Sequence, residues 1–469
     1  MRWLERLARE RLSGAPVYGW TCTRGFEPRL DEGESRDPLA AVQAVIRHPG
    51  PGLFVLKDLS AFLGRPEVAR ARRGARVARE AGCEGERKVL CILSPELVLP
   101  ATLRKELALV RVPPPDLGEL EETIRDVLGG RVERELPGEW LRDISLALKG
   151  LTLEESRHLL HEALEDGRLS RRELVDSLNL AKKDAVLESA LAYVPERVAP
   201  SAVGGLSALK AWILRRASLF DTRAQETGLP TPRGILLMGI SGCGKSLCAK
   251  LVAGTWRVPL FRLDMSAIYA GVSGTPEEAF RRALETVESV APAVLWIDEI
   301  ENGLGMTTEQ GQSASRVFAS FLTWMQEKPP LVFVAATANR IEALPAELIR
   351  KGRFDQVFFC DLPTEEERRE VFESHIRRNQ ADPAAFDLER LVAETGDWNA
   401  AEIEQAVVAG RVDAIGGGRP LATADILAQT RTLIPLSRTM HEQIKLIRDW
   451  AWDRATPASG GQTIPLDPG

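Results

Sequence analysis

The chain has 469 residues, 44% hydrophobic and 27% charged, with a formal net charge of −6. Such a length holds roughly two to four domains, and the composition argues against wholesale disorder. The acidic balance weighs against a nucleic-acid coat protein, and no apolar run approaches the ~18 residues of a membrane span. The charged start MRWLERLARERL does not read as a secretory signal, and the six scattered cysteines form no CxxC pair. A cytoplasmic protein free of disulfides and zinc is expected.

Along the first part of the chain, LFVLKD (53–58) and KVLCILS (88–94) have the character of strands. VPPPDLGELEETI (112–124) resembles DLPTEEERREVF (361–372) in character, and LKGLTLEESRHLLHEAL (148–164) resembles ETGDWNAAEIEQAVVAG (394–410). Two readings of 1–193 stay open: a diverged duplicate of the second half that lacks a phosphate loop, or an unrelated α/β domain. Pro195 and Pro200, just ahead of Gly204 and Gly205, suit a linker. From 194 to 364, GILLMG (234–239), PLFRLD (259–264), AVLWID (293–298) and LVFVAAT (331–337) alternate with amphipathic stretches. This alternation predicts an α/β domain with a parallel sheet covered on both faces. Residues 365–435 read as a helical subdomain, and 436–469 as a C-terminal helix with a flexible tail, disordered from about 455.

The sequence Gly239-Ile240-Ser241-Gly242-Cys243-Gly244-Lys245-Ser246 fits the phosphate-loop pattern GxxxxGK[ST]. It follows an apolar strand and runs through Leu247 into a helix, which is the context the chemistry needs. Glycines let backbone N–H groups converge on phosphates, and the helix N-terminus adds favourable partial charge. Lys245 reaches the β/γ-phosphates, and the Ser246 hydroxyl can ligate Mg²⁺. Asp298 and Glu299 end the strand AVLWI at its carboxyl mouth, where open α/β sheets bind ligands. Asp298 is placed to hold Mg²⁺ and Glu299 to polarise an attacking water. Asn339, just past the next strand, can orient that water or bond the γ-phosphate, although an Asn there is also an ordinary turn residue. Arg350 and Arg353 in LIRKGRFD are either a solvated basic turn or a pair of guanidinium groups that spread transition-state charge. If supplied in trans, they place each site at a subunit boundary of a ring or filament.

Phosphate loop, hhhhDE strand, strand ending in Asn, LIRKGRFD and a helical lid, in that order, resemble the AAA+ ATPases over about 200–430. Within them the pattern is similar to the branch with paired arginine fingers. SRVFASFLTWMQEK, LPAELIRKGRFDQVFF, PLSRTM (435–440) and the long N-terminal region look like the AAA family encoded by an open reading frame of chloroplast and cyanobacterial genomes. The resemblance implies an ATP-hydrolysing oligomer, usually a hexamer, with Mg²⁺ and a protein client. It implies phosphate and Mg²⁺ binding by Lys245 and Ser246, Mg²⁺ coordination by Asp298, Glu299 as base, Asn339 as first sensor, and Arg350 and Arg353 as fingers. It further implies Val203 and Gly204, in VGGLSALK, beside the adenine, and His375 near the nucleotide sugar. Two departures stand out. The pore-loop position holds Val272 before Gly274, where threading relatives carry an aromatic, with Tyr269 three places early. The lid motif reads Asp-Trp-Asn-Ala-Ala-Glu (397–402), placing Ala400 where a Gly is usual and crowding the adenine side. The expected function is remodelling of a partner protein. The alternatives are a nucleotide-switched scaffold with slow turnover and a nucleic-acid motor or loader, the last disfavoured by the acidic balance.

Overall fold

In the computed structural model, residues 1–3, 5–7, 31–35, 69–87, 95–107, 113–114, 130–137, 166–173, 179–189, 221–228, 271–273, 304–310, 341–343, 461–469 and scattered single positions lie outside the described residues. The chain forms two compact units, Met1–Val112 and Pro113–Gly469.

The first unit has a four-stranded sheet of β1 (Val17–Thr21), β2 (Gly25–Glu27), β3 (Gly52–Lys57) and β4 (Lys88–Leu93), in the order β2-β1-β3-β4. β3 pairs in parallel with β1 and β4, whereas β2 closes an antiparallel hairpin with β1. Five of the six β3 residues are buried, as a near-continuous apolar run in a covered parallel sheet requires. Helix α1 (Pro38–Arg47) starts at Asp37, whose carboxylate caps the Ala40 N–H, with a proline in the first turn where no donor is lost. It buries Ala41, Val42, Ala44 and Val45 in a core with Trp20, Phe54 and Leu56.

The second unit begins with α2 (Leu117–Leu128), α3 (Gly138–Leu148) and α4 (Leu153–Glu165), which share an apolar core around Leu120, Ile124, Ile144 and Leu160. After β5 (Leu191–Val194) and α5 (Ser207–Arg216) come β6 (Gly234–Gly239), α6 (Lys245–Trp256), β7 (Leu260–Leu263), α7 (Pro276–Ser289), β8 (Ala293–Ile297), α8 (Gly311–Glu327), β9 (Val332–Ala338) and β10 (Gln356–Cys360). The helical region follows as α9 (Glu365–Arg378), α10 (Leu388–Glu394), α11 (Ala400–Gly416) and α12 (Thr423–Thr430). A last helix, α13 (His441–Trp452), precedes β11 (Thr456–Pro457). The seven-stranded sheet runs β11-β10-β6-β9-β8-β7-β5, parallel except for β5 against β7. Its strands are apolar because both faces are covered; all residues of β6, β8 and β9 are buried.

Two expectations about boundaries meet a different arrangement. The break expected near 193 falls inside β5, which pairs with β7 through Leu191↔Leu263 to Val194↔Leu260, and the first compact unit closes at Val112. An apolar strand of four residues gains its hydrogen bonds only from a sheet, and β7 of the second unit supplies that edge. The tail expected to be disordered from 455 is ordered through Gly460. Phe358 and Phe359 pair with Thr456 and Pro457, the Leu209 N–H donates to the Ala458 carbonyl at 3.1 Å, and Ala458 is fully buried. Polar and Pro/Gly composition signals disorder only where no sheet edge is available; residues 461–469 lie outside the described residues.

At the amino end of this sheet, the Lys328 ammonium donates to the Val332 carbonyl. Burial pushes Lys328 down to about 7, with Asp355 opposing that shift. The unfolded chain holds this proton to about pH 10, so between those values the folded state binds fewer protons and stability rises with pH. Lys328→Met is therefore expected to raise the thermal midpoint at and below pH 7, the gain shrinking to nothing near pH ~10. Thermal melts across that range check it; a gain that is flat with pH counts against a buried ammonium.

Candidate functional site

The phosphate loop leaves β6 at Gly239 and enters α6 at Lys245. Gly239, Gly242 and Gly244 adopt φ of 137°, 79° and 82°. At Gly242 a Cβ would also stand 2.7 Å from Asn399 Oδ1, so only glycine lets the lid approach. The Lys245 side chain is buried and its Nζ donates to the carbonyls of Gly239 (2.9 Å) and Ile240 (2.7 Å). Burial holds this ammonium below the ordinary lysine range. Ile240 and Cys243 are buried, so they can meet a phosphate only through their backbones. The Cys243 thiol, shut in beneath the loop, is pushed far up by burial.

An open cleft of about 350 Å³ lies over the loop, lined by Ser241, Gly242, Gly244 to Leu247, Asp298, Glu299, Thr337 and Asn339, and on the lid side by His375, Arg378, Ala400, Ala401 and Glu404. The Ser246 hydroxyl and Thr337 hydroxyl both donate to Asp298 Oδ1, at 3.1 and 2.6 Å. Thr337 Oγ1 in turn accepts the Glu299 N–H at 2.9 Å, bracing a residue at φ 47°. Such a backbone costs about 1–3 kcal/mol and persists only where its surroundings hold it. Asn339 Nδ2 donates to Glu299 Oε1 at 2.8 Å. The fully buried Glu301 carboxylate accepts the N–H groups of Asn339 (2.8 Å) and Arg340 (3.0 Å), fixing the tip of β9. The hydroxyl and carboxylate of Ser246 and Asp298 are hard oxygen donors at the mouth of the phosphate loop, a set that fits Mg²⁺ beside phosphate oxygens.

The lid closes the other wall. Asn399 caps α11 with Glu402 in a reciprocal box, and the Ala401 N–H donates to the Gly242 carbonyl at 3.0 Å. Ala400 and Ala401 thereby sit directly on the phosphate loop. His375 Nδ1 lies 3.7 Å from Glu404, and burial pushes its imidazole below the ordinary histidine range. Val203 and Gly204 do not line the cleft; Val203 is buried in the core of the sheet, and Gly204 packs on α9, where a Cβ would stand 2.6 Å from the Val371 nitrogen. The Gly205 and Leu206 N–H groups donate to Glu370 and Glu367 of α9 at 2.7 and 2.9 Å.

Arg350 and Arg353 are not brought to this cleft. They precede β10, and Asp355 beside them accepts the N–H groups of Arg233 and Gly234 at the start of β6. β6 and β10 run parallel, so the phosphate loop lies at the far end, ~17 Å of strand away. Arg353 is tied to the Glu347 carbonyl and Arg350 is exposed. Val272 lies outside the described residues; Tyr269 ends a short helix with its phenol half-buried.

Reasoning from the sequence missed Thr337, Glu301, Asn302, Arg378 and Glu404. Thr337 carries a signal, being the one polar side chain in β9. Asn302 meets Glu299 three residues away, and the others gain their places by contacts across the fold.

Residues 235–362 match the family model of ATPases associated with various cellular activities (AAA), and residues 1–112 match that of the SpoVK-like AAA ATPase N-terminal domain. The chain is 34% identical to the AAA domain-containing protein ycf46 of Guillardia theta over 93% of its own length and 87% of that protein. It is 32% identical to ycf46 of Pyropia yezoensis, covering 94% and 91% respectively. The ATP-dependent zinc metalloprotease FtsH 2 of Salinibacter ruber is similar over 40% of this chain and 29% of its own, at 32% identity. With its phosphate loop, acidic strand mouth and lid converging on one cleft, the chain belongs to the AAA ATPases and, within them, to the family of ycf46 proteins.

Proposed function

We propose that this protein hydrolyses ATP with Mg²⁺ in a ring of identical subunits, a hexamer by its family, and that the cycle remodels a protein client. The observation that carries the reading is the convergence of two pairs, Ser246–Asp298 and Asn339–Glu299, on the cleft above Lys245. Mg²⁺ held by Ser246 and Asp298 would neutralise charge on the β- and γ-phosphates. Lys245 turns from the Gly239 and Ile240 carbonyls to the phosphates, exchanging two backbone acceptors for anionic oxygens. Glu299 accepts the hydrogen of the attacking water, and Asn339 holds that carboxylate in line. Lid residues His375 and Ala400 take the nucleoside side. Val203 and Gly204 serve it indirectly, Val203 by anchoring the lead-in segment in the sheet core and Gly204 by letting it pack on α9.

The separation of Arg350 and Arg353 from their own cleft supports delivery to the next subunit's γ-phosphate. In this reading residues 1–193 carry no phosphate loop and bind no nucleotide. No described helix is long and apolar enough to cross a membrane. A nucleotide-switched scaffold is the second reading, favoured by Val272 at the pore-loop position, since valine grips an extended chain less than an aromatic does. The test is phosphate release from ATP by the purified chain, with and without Mg²⁺, beside its mass by light scattering in ATP and in ADP. Saturable, Mg²⁺-dependent release and a ring-sized mass are expected. Release without assembly rejects the ring, and no release under any condition rejects the ATPase.

A further inference from the structure

Asn302 belongs to none of the motifs used above. It lies in the helical turn Ile300–Gly303 after β8, and its Nδ2 donates to Glu299 Oε2 at 2.7 Å. Asn339 Nδ2 meets the other oxygen, Oε1, at 2.8 Å. The two carboxylate oxygens of the base are thus each held by a side-chain amide, one from either side. Asn302 is held in turn, because its Oδ1 accepts from the Arg340 guanidinium. A guanidinium only donates, so the Asn302 oxygen must face Arg340 and its NH₂ must face Glu299. Arg340 is itself anchored, its backbone N–H donating to the fully buried Glu301 carboxylate at 3.0 Å.

The physical consequence concerns the orientation of the carboxylate. The terminal torsion of a glutamate is broad, so a carboxylate held at one oxygen rotates freely about its last bond. Held at both oxygens, its plane is fixed. Each oxygen has about two acceptor sites, so an amide on each leaves one open towards the water. The clamp orients the base without covering it, and orientation within hydrogen-bond reach is what general-base catalysis needs.

We propose that Asn302, locked by Arg340, is a positioning residue that fixes the plane of the Glu299 carboxylate for attack by water. This rests on the ATPase reading above, with Glu299 as the base. Only a neutral amide serves both neighbours at that position: a carboxylate would repel Glu299, and an alkyl side chain would release it.

The test compares steady-state phosphate release and the Kd of a fluorescent ATP analogue for the wild type, Asn302→Ala, Arg340→Ala, the double variant, and Asn302→Ala in a Glu299→Gln background. Asn302→Ala is expected to lower kcat on the order of 10-fold, a share of what a positioned base contributes, with KM and Kd within about twofold. Arg340→Ala lowers kcat by a smaller factor, and the double variant falls no further than Asn302→Ala, because both act through one amide. In the Glu299→Gln background Asn302→Ala changes nothing more. A turning-over wild type beside an unchanged Asn302→Ala overturns this inference alone, as do additive losses or a loss that appears in Kd. A wild type that releases no phosphate overturns the ATPase reading and this inference together.

Discussion

Glu299→Gln is expected to lower ATP turnover by about 10²–10⁴-fold, the range a positioned general base contributes, while ATP still binds. Glutamine keeps the volume and the strained backbone at φ 47°, so the loop and Asp298 keep their places. What it removes is the charge and the open acceptor site towards water. Its own NH₂ also confronts the donor of either Asn302 or Asn339, both of which now aim an N–H at the carboxylate. Phosphate release and equilibrium binding of ATP, measured on one preparation, separate the two effects. Unchanged steady-state release would remove Glu299 from the role of base. Loss of binding in step with turnover would instead mark the residue as part of the nucleotide cradle.

Arg353→Ala should cost at least ~10³ in kcat if its guanidinium reaches a γ-phosphate, the lower end of what an arginine finger supplies. Because the arginine turn lies at the opposite end of β6 and β10 from the phosphate loop, the loss is expected in the neighbouring subunit's site. A mixing experiment reads that geometry. Lys245→Ala subunits have a disabled cradle and intact arginines, whereas Arg353→Ala subunits have the reverse. Each alone is inactive, and equal mixing restores activity at those boundaries where an intact cradle meets intact arginines. A head-to-tail interface is what makes such pairing directional. Arg353 also holds the Glu347 carbonyl, so the exposed Arg350→Ala is the companion variant that leaves this tie in place. Mixtures that stay inactive for both arginine variants, in rings shown to exchange subunits, argue against shared sites.

The site was legible in the sequence to the extent that its parts are local. A phosphate loop is one strand, one turn and one helix start, and its glycines, lysine and serine specify it within eight residues. Asp298 and Glu299 were legible because a run of apolar residues ending in acids places them at a strand mouth. Thr337 and Glu301 were not, since their roles come from bonds spanning 38 to 39 residues of chain between the mouths of β8 and β9; Asn302 meets Glu299 three residues away, but its amide is turned there by Arg340, 38 residues on. The order of the tail through Gly460 was hidden for the same reason. Polar residues with Pro and Gly mark disorder until a free edge, here β10, accepts their backbone.

Amino-acid order alone therefore determined the parallel sheet, the family resemblance and the candidate residues for phosphate and Mg²⁺. Burial on both faces of a strand, and glycine where φ is positive, are written residue by residue. Tertiary structure alone decided which strands close the sheet, that the Asn339 amide reaches the Glu299 carboxylate across the mouths of β8 and β9, and that the two arginines stand ~17 Å of strand from their own cleft. Those are matters of register between segments distant in the chain, and register is set by packing the whole sheet rather than by any one stretch of it.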